Sequence, residues 1–311
     1  MVRHFLSQTD LSPDEIRDVF ARTSLLKREP RSAALQGRSL VMFFEKTSTR
    51  TRLSFEIGMT QLGGHAVYLD RDSSQLSRGE SIEDTSEVVS RYADLMMARV
   101  FAHDTIARLA KNASIPVING LSDDEHPCQS MADLYTVCEL KGRVKGVRVA
   151  FVGDGANNVT HSLMLGVAQL GGHMTVASPH TLQPAYRYVN TAKEWAAETG
   201  GSIGVTEDPM TAVEQADVIY TDVWVSMGRE ADRESRLAAL RPYQVNSRLL
   251  EHAKPDCIFM HCLPAHVGEE VTADVAYGPN SVIFDEAENR MHVQKALMLC
   301  LLEWSEGGGR Q

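Results

Sequence analysis

The chain has 311 residues, which exceeds the usual size of a single domain and favours two domains. Its formal net charge of -10 and its lack of a Lys/Arg-rich block argue against nucleic acid and against an anionic membrane. No apolar run approaches the roughly 20 residues of a membrane span, and the 5 cysteines make an odd set in a large chain, so we expect a cytoplasmic protein with reduced thiols.

The first part of the chain alternates helices with strands. Ser12, Pro13 and Glu15 have the spacing of a capping box with proline at the first helical position, and they predict a helix. The apolar run Leu40–Phe44 predicts a buried strand, which residues of helical period follow. The same pattern predicts strands at His65–Leu69, Leu95–Val100 and Ile115–Ile118, and helices at Ile82–Tyr92, Thr105–Lys111 and Gln129–Leu140.

A basic, glycine-containing stretch at Lys141–Gly146 predicts a domain boundary. The second series has strands at Arg148–Val152, Met174–Ala177, Val218–Tyr220, Ile258–His261 and Val282–Phe284 and near Val205, and helices at Ser162–Leu170, Ala185–Thr199 and Val293–Trp304. Strands that alternate with helices predict an α/β protein of two doubly wound domains, each with a mainly parallel sheet flanked by helices. In such folds ligands bind outside the carboxyl ends of the strands.

The run Ser48, Thr49, Arg50, Thr51, Arg52 stands between a predicted strand and a predicted helix. Backbone N–H groups at a helix start attract anions, and hydroxyl and guanidinium groups add donors, so the run is a candidate phosphate site. A capped helix start with two solvated arginines is the alternative. No Walker-type loop occurs in the sequence, so a small phosphorylated substrate fits better than a nucleotide.

Other loops carry weaker signals. His126, Cys128 and Gln129 follow a predicted strand, although a lone histidine there is more often structural. Residues 153–158 imitate a dinucleotide fingerprint, but Asn158 replaces its third glycine and no acidic residue follows the next strand, which disfavours a dehydrogenase. Asp222 follows the strand Val218–Tyr220, where a carboxylate could meet a cationic ligand.

Cys257, His261, Cys262 and His266 have the residue types of a metal site. Neighbours on a strand point to opposite faces, so we expect that His261 and Cys262 do not share one ion, and we predict no metal. Cys262 ends a predicted strand before Pro264, where either core packing or a site thiol is possible.

Taken together, these segments resemble the aspartate and ornithine carbamoyltransferase family along nearly the whole chain. The pieces that match, in the family's order, are Phe44-Glu45-Lys46 with Ser48-Thr49-Arg50-Thr51-Arg52, Gln75 before Gly79-Glu80-Ser81, Ala98-Arg99-Val100, His126-Pro127-Cys128-Gln129, Asn157-Asn158, Asp222 with Ser226-Met227-Gly228, His261-Cys262-Leu263-Pro264, and Glu286-Ala287-Glu288-Asn289-Arg290. The resemblance implies a carbamoyl phosphate-binding domain at residues 1–141, completed by a C-terminal helix at 290–311, and an ornithine-binding domain at 142–289. The active site would lie in the cleft between them.

The resemblance also implies roles for individual residues. The residues that would bind carbamoyl phosphate are Ser48, Thr49, Arg50, Thr51, Gln75, Arg99, His126, Gln129, Cys262, Leu263 and Arg290. Among them Arg99, His126, Cys262 and Arg290 would be catalytic, without a metal or an organic cofactor, and Gln75 would come from a neighbouring subunit of a homotrimer. The residues that would bind the acceptor are Asn158, Asp222, Ser226 and Met227.

The implied reaction carries the carbamoyl group to the side-chain amine of ornithine, giving citrulline and phosphate in arginine biosynthesis or urea-type metabolism. An aspartate acceptor would need several cations, yet only Arg229 is basic near this loop. Putrescine would leave Asn158 without a carboxylate to bind, and an N-acylornithine lacks the ammonium that suits Asp222. Val223 stands where the ornithine branch commonly has threonine, which leaves these acceptors open as alternatives.

Overall fold

The structure is a computed structural model, and it describes residues 1–225 and 232–307 of the chain. The chain forms two compact units. Unit 1 contains Met1–Met131 together with Glu288–Gln311, and unit 2 contains Ala132–Ala287. Two helices continue from one unit into the other, α5 at Pro127–Lys141 and α12 at Ile283–Gly307.

Unit 1 has a four-stranded parallel sheet with strand order β2-β1-β3-β4. Its strands are β1 at Ser39–Phe44, β2 at His65–Asp70, β3 at Leu95–Arg99 and β4 at Val117–Leu121. Its own helices are α1 at Pro13–Arg28, α2 at Thr49–Gln61, α3 at Ile82–Tyr92 and α4 at His103–Asn112. Phe44 pairs with Arg99, so β1 and β3 end side by side and the loops that follow them leave the same edge of the sheet.

Unit 2 has a five-stranded parallel sheet with strand order β7-β6-β5-β8-β9. Its strands are β5 at Arg148–Val152, β6 at His173–Ala177, β7 at Ser202–Thr206, β8 at Val218–Tyr220 and β9 at Ile258–Met260. Its own helices are α6 at Asn158–Gln169, α7 at Tyr186–Thr199, α8 at Pro209–Val213, α9 at Arg233–Leu240, α10 at Ser247–Leu250 and α11 at Ala273–Ala276. The neighbours β5, β8 and β9 end together, so the loops that contain Asp154, Asp222 and Cys262 share one edge.

Each unit has its own apolar core. In unit 1, buried strand residues such as Met96 and Ala98 pack against Ile106 and Leu109 of α4. In unit 2, Ala150 and Ile219 from the sheet pack in one cluster with residues of α8, α10 and α11. The fold class predicted from the sequence is confirmed, because each unit is a parallel sheet flanked by helices.

Three predictions about the second series of elements are wrong or displaced, and one of them is the last helix, which begins at Ile283 and not at Val293. The expected strand Val282–Phe284 does not form, because α12 begins at Ile283. The residue before this segment, Ser281, makes an isolated bridge with Phe259. A short apolar run fits a buried helix start as well as a strand. Helix α6 begins four residues before the expected Ser162, because Asn157 accepts a hydrogen bond from the N–H of Thr160 as an N-cap.

A membrane span needs about 20 predominantly apolar residues in one helix. None of the helices within residues 1–225 and 232–307 meets that requirement.

Candidate active site

The loop between β1 and α2 in unit 1 forms a capped helix start. Ser48 is the N-cap residue, and its Oγ accepts a hydrogen bond of 3.2 Å from the backbone N–H of Thr51. Thr49 and Arg50 lie in the first turn, where backbone N–H groups and the helix dipole attract anions. A cap and an anion site are therefore compatible here, since the first turn presents the donors that an anion needs.

Two arginines from distant parts of the chain converge on the hydroxyl of Thr51. Nη2 of Arg290 donates to Thr51 Oγ1 over 3.1 Å, and Nη1 of Arg99 donates to the same oxygen over 3.5 Å. All three residues are buried. Because a hydroxyl oxygen can accept two hydrogen bonds and still keep its proton, Thr51 can donate that proton to a ligand.

His126 stands directly before α5 and is buried close to this group of arginines. Its pKa lies well below the usual range, first because of burial and then because of the positive charges of Arg290, Arg99 and Arg50. The imidazole is therefore neutral at physiological pH, with one N–H donor and one acceptor nitrogen. We call Thr51, Arg99, His126 and Arg290 the Thr51 cluster.

The remaining unit 1 candidates differ in position. Gln129 is fully buried in the first turn of α5, and its backbone N–H bonds to the carbonyl of His126 over 3.0 Å. Cys128 donates its thiol proton to the carbonyl of Asn119 over 3.3 Å, and burial raises its pKa to about 12, so it is an inert core residue. Gln75 is exposed in a short 3-10 helix at Gln75–Arg78.

Lys46 is a residue that the sequence analysis noted only as part of a matching motif. Its Nζ lies 4.5 Å from the ring centroid of Phe101, and its pKa is lowered by burial and by the charge of Arg99. Its position two residues after β1 was the available signal. Arg52, by contrast, turns to the surface, where its Nε contacts Glu56 over 3.1 Å and its guanidinium lies 4.2 Å from the ring centroid of Tyr68.

In unit 2, the carboxylate of Asp222 receives three hydrogen bonds. Oδ1 accepts the thiol proton of Cys262 over 3.0 Å and the N–H of Val223 over 2.8 Å. Oδ2 accepts from the side-chain amide of Asn157 over 3.4 Å. We call Asn157, Asp222 and Cys262 the Asp222 cluster. Asp222 itself is 6% exposed, so its charge is poorly solvated and favours a bound cation.

The thiol of Cys262 is held in its protonated form. Burial raises its pKa well above the usual range, and the negative charge of Asp222 and the hydrogen bond to it act in the same direction. Cys262 is thus a donor to Asp222 rather than a resting thiolate base. The residue that follows it, Leu263, has φ of +57°, a conformation rare for a non-glycine residue.

The acceptor residues expected from the sequence are only partly brought together. Asn158 is half-buried at the first position of α6, whereas the cap residue Asn157 is the one that bonds to Asp222. Asn157 had been expected only as part of the matching pair Asn157-Asn158, and its cap signal was missed because the helix was predicted to begin at Ser162. Ser226 and Met227 lie outside the described residues.

A second set of acids lies deeper in unit 2. Glu286 is fully buried, and burial together with Asp133 raises its pKa well above the usual range. Its Oε1 accepts from the hydroxyl of Tyr220 over 3.1 Å, and its Oε2 accepts from the N–H of His261 over 2.9 Å. Glu286 therefore links the ends of β8 and β9 through both of its carboxyl oxygens.

His261 and Cys262 lie close enough to share one ion, contrary to the expectation from strand alternation. Strand β9 ends at Met260, so strand alternation does not apply to these two residues, and their ligand atoms lie within 4.8 Å of each other and of an oxygen of Asp222. Both ring nitrogens of His261 are already bonded, Nδ1 to the N–H of Leu263 over 2.9 Å and Nε2 to Glu270 over 3.1 Å. An ion would have to replace one of these bonds.

Two family models match the chain. The aspartate/ornithine carbamoyltransferase carbamoyl-P binding domain matches residues 3–139, and the Asp/Orn binding domain of the same family matches residues 145–301. Together the two models cover nearly the whole sequence.

Individual relatives agree with these models. An ornithine carbamoyltransferase from Pyrococcus abyssi is 53% identical over 304 residues, which are 96% of each chain. An anabolic ornithine carbamoyltransferase from Pyrococcus furiosus is 56% identical over 268 residues, which are 86% of this chain and 85% of the relative. The solved structure of an ornithine carbamoyltransferase from Pyrococcus furiosus superposes with a TM-score of 0.94 at 50% identity, over 99% of this chain and 98% of that chain.

Proposed function

Because the chain belongs to the aspartate/ornithine carbamoyltransferase family, we propose that it transfers the carbamoyl group of carbamoyl phosphate to the side-chain amine of L-ornithine. The products are L-citrulline and phosphate, and the reaction serves arginine biosynthesis. The observation that carries this proposal is the Thr51 cluster, in which two buried arginines donate to one threonine hydroxyl and lower the pKa of a buried histidine.

Unit 1 would bind carbamoyl phosphate. The phosphate would take the N–H groups and hydroxyls at the start of α2, from Ser48, Thr49 and Thr51, together with the guanidinium of Arg50. A phosphate dianion gains most from such a site when fixed donors and positive charge coincide, as they do at this helix start. The arginine also offsets the charge of the phosphate as it leaves.

The carbonyl oxygen of carbamoyl phosphate would be held by the Thr51 cluster. This oxygen gains negative charge when the amine attacks, and preorganised donors are worth more to that charge than to the neutral ground state. Thr51 donates its hydroxyl proton, Arg99 and Arg290 donate guanidinium N–H groups, and neutral His126 donates its ring N–H. Gln129, in the first turn of α5, would bind the carbamoyl NH2 group.

Unit 2 would bind ornithine. The carboxylate of Asp222 suits the α-ammonium of an amino acid, and Asn158 at the start of α6 suits its carboxylate. The buried carboxylate of Asp222 favours a cationic acceptor and disfavours aspartate, which would bring a second carboxylate to it. The roles expected for Ser226 and Met227 stay predictions.

In the reaction, the side-chain amine of ornithine must first lose a proton, since an amine of this type has a pKa of roughly 10.4. Its lone pair then forms a C–N bond to the carbonyl carbon and gives a tetrahedral intermediate. When the carbonyl re-forms, the C–O bond to phosphate breaks, the attacking nitrogen gives up its extra proton, and the phosphate departs with that proton as hydrogen phosphate. Cys262 donates to Asp222 throughout, so the thiol supports the carboxylate that binds the acceptor.

The proposal is tested by a colorimetric assay for ureido products. Carbamoyl phosphate is offered with ornithine, putrescine, aspartate or N-acetylornithine in parallel. We expect a product with ornithine alone, identified as citrulline by mass. No citrulline from ornithine would refute the proposed function, and a product from another amine would assign a sister carbamoyltransferase.

We propose that the carbamoyl phosphate-binding domain comprises residues 1–141 with 290–311, and the ornithine-binding domain residues 142–289. The family models support this division, since they meet between residues 139 and 145. Isotope-labelled methyl groups of each domain offer a test, because carbamoyl phosphate alone should shift signals from residues 1–141 and leave most of the others unchanged.

The active unit is proposed to be a homotrimer in which Gln75 serves the site of a neighbouring subunit. Its exposure on a short 3-10 helix supports a role outside its own unit. Apolar side chains on α2 and on the edge strand β2 are also exposed, namely Leu53 at 48%, Ile57 at 44% and Val67 at 43%. Such a surface would be covered in an assembly.

Light scattering should give three times the chain mass of 34.3 kDa. Hybrid trimers of two inactive variants, Gln75→Ala and Arg50→Ala, would then test whether a site is shared. A hybrid trimer contains sites with wild-type Gln75 from one chain and wild-type Arg50 from the next, so mixing should restore part of the activity. No recovery after unfolding and refolding the mixture would contradict a shared site.

We propose a cytoplasmic location. All five cysteines are free, and three of them are buried, which suits a reducing compartment. Fractionation of the source cells with an antibody against the chain tests this proposal.

A further inference from the structure

Arg236, on α9, joins two loops of unit 2 beside the proposed ornithine site. Its Nε donates to the carbonyl oxygen of Trp224 over 2.8 Å, and its Nη2 forms an ion pair with Asp154. The side chain of Arg236 is 12% exposed and that of Asp154 is 4% exposed. These contacts are thus shielded from solvent, unlike a surface ion pair, whose contribution is often too small to measure.

The two partners of Arg236 belong to the loops that follow β5 and β8. Trp224 lies two residues after Asp222, and Asp154 lies three residues before Asn157. The loops meet at close range, since a Cβ atom on Gly153 would stand 3.4 Å from Nε1 of Trp224. The hydrogen bond of 3.4 Å from Asn157 to Oδ2 of Asp222 joins the same two loops, so it depends on the distance between them.

We propose that Arg236 is a positioning residue for the acceptor amino acid, because its guanidinium fixes the spacing of these two loops and so the direction of the Asp222 carboxylate. The inference rests on the proposed function and adds to it a residue that acts on ornithine only through Asp222 and Asn158. Arg236 lies outside every motif that carried the family resemblance.

The electrostatics of Asp154 support this role. Burial raises the pKa of Asp154, and the charge of Arg236 is the largest effect that opposes the rise. The carboxylate also accepts the N–H of Ala156 over 3.1 Å, and the backbone carbonyl of Asp154 accepts from Thr160 over 3.2 Å. Without Arg236, a buried carboxylate would lose its cation at the turn that leads into α6, and the turn would have to rearrange.

The shape of the guanidinium also matters. Arg236 directs two different nitrogens to two acceptors on separate loops, which a planar fork can do at fixed geometry. A lysine keeps the charge but presents one nitrogen, so it can satisfy the carboxylate or the carbonyl well, but not both. We therefore expect Arg236→Lys to fall between wild type and Arg236→Gln.

The test compares Arg236→Gln and Arg236→Lys with a matched control, Arg233→Gln. Arg233 lies on the same helix and pairs with Glu269, but its side chain is 47% exposed. Arg236→Gln should raise KM for ornithine about 10- to 100-fold, the usual cost of losing a hydrogen bond to a charged group. KM for carbamoyl phosphate should change less than about threefold, and the control should resemble wild type.

The wild-type assay separates the two possible failures. If wild type makes no citrulline, the proposed function fails and the test of Arg236 is not reached. If wild type is active and either Arg236 variant lowers only kcat or the melting temperature, with KM for ornithine unchanged, Arg236 is merely structural and the inference is overturned. Arg236→Lys keeps the buried charge, so it remains informative where Arg236→Gln fails to fold.

Discussion

The thiol of Cys262 donates a hydrogen bond to Oδ1 of Asp222 over 3.0 Å, across 40 positions of sequence. Burial and the carboxylate itself both raise the pKa of the thiol, so the proton stays on sulfur. The bond fixes the direction of the Asp222 carboxylate, the group that we propose binds the ammonium of the acceptor. We therefore propose that Cys262 supports acceptor binding through Asp222, a role that differs from nucleophilic or general-base catalysis.

Replacing Cys262 tests this role. Cys262→Ala removes the donor and should raise KM for ornithine about tenfold, since hydrogen bonds to charged groups contribute about 1.5–3 kcal/mol. Cys262→Ser keeps a donor of similar shape and should stay closer to wild type. Steady-state kinetics with each substrate varied in turn provide the measurement. Equal effects of the alanine and serine variants would contradict a hydrogen-bonding role.

Arg50 and Arg52 form a matched pair for testing the phosphate site. Arg50→Ala should abolish turnover with little change in melting temperature, because an anion-binding arginine at a helix start is seldom structural. Arg52, which bonds to Glu56 over 3.1 Å, should tolerate alanine with a change in KM for carbamoyl phosphate below about threefold. If the two variants were equally impaired, the assignment of the phosphate to Arg50 would be lost.

His126→Ala should lower kcat about 100- to 1,000-fold, the typical cost of removing one donor from an oxyanion site. His126→Gln retains an N–H donor and should recover part of that loss. His180 is an exposed histidine, with its side chain 82% accessible, and His180→Ala is the control. Single-turnover rates at saturating substrates measure the effect, and a loss confined to KM would mean that His126 binds the ground state and the transition state equally.

The burial of neutral His126 also predicts a pH dependence of stability. An unfolded histidine titrates near pH 6.5, whereas the pKa of folded His126 is well below that value. Between the two values the unfolded chain binds more protons, so the free energy of unfolding falls as the pH drops below about 6.5. Urea unfolding from pH 7.5 to 5 should show a weaker decline for His126→Gln than for wild type, and identical slopes would count against a buried neutral imidazole.

The alternation of strands and helices was predictable because strands buried on both faces appear as short apolar runs between polar loops. Leu40–Phe44 and Arg148–Val152 are such runs, and both form strands near the expected positions. Helices of four to eight residues, α8 to α11, were missed because so short a segment holds only one or two helical turns. The start of α12 was mistaken for a strand for the related reason that three apolar residues have no period.

Without the family resemblance, the site was predictable only where local chemistry signals it. The cap at Ser48 follows from its position before a helix, and the structure places it there. The contact between Thr51 and Arg290 joins residues 239 positions apart, and no local pattern predicts which threonine meets which arginine. The roles of Arg236 and Asn157 were missed for the same reason, since each depends on a loop that is distant in sequence.

Lys295 is a fully buried lysine on α12, and its acceptors are neutral. Its Nζ donates to the carbonyl of Pro30 and to Oε1 of Gln61, each over 2.8 Å. Burial lowers its pKa to about 8. A Cβ atom on Gly58 would stand 3.1 Å from Cγ of Lys295, so the glycine leaves space for the lysine stem.

Lys295 should therefore make the protein more stable as the pH rises above 8. Between about pH 8 and the unfolded value of about 10.4, the unfolded chain holds a proton that the folded chain has released, so the free energy of unfolding increases by up to about 3 kcal/mol. Lys295→Met should lack this increase, whereas Lys193→Met, at an exposed lysine, should keep it. Urea unfolding at pH 7.5, 8.5 and 9.5 measures how the free energy of unfolding changes with pH in wild type and in each variant. Parallel curves for wild type and Lys295→Met would mean that the buried ammonium is stabilised by its two acceptors as fully as it is by water.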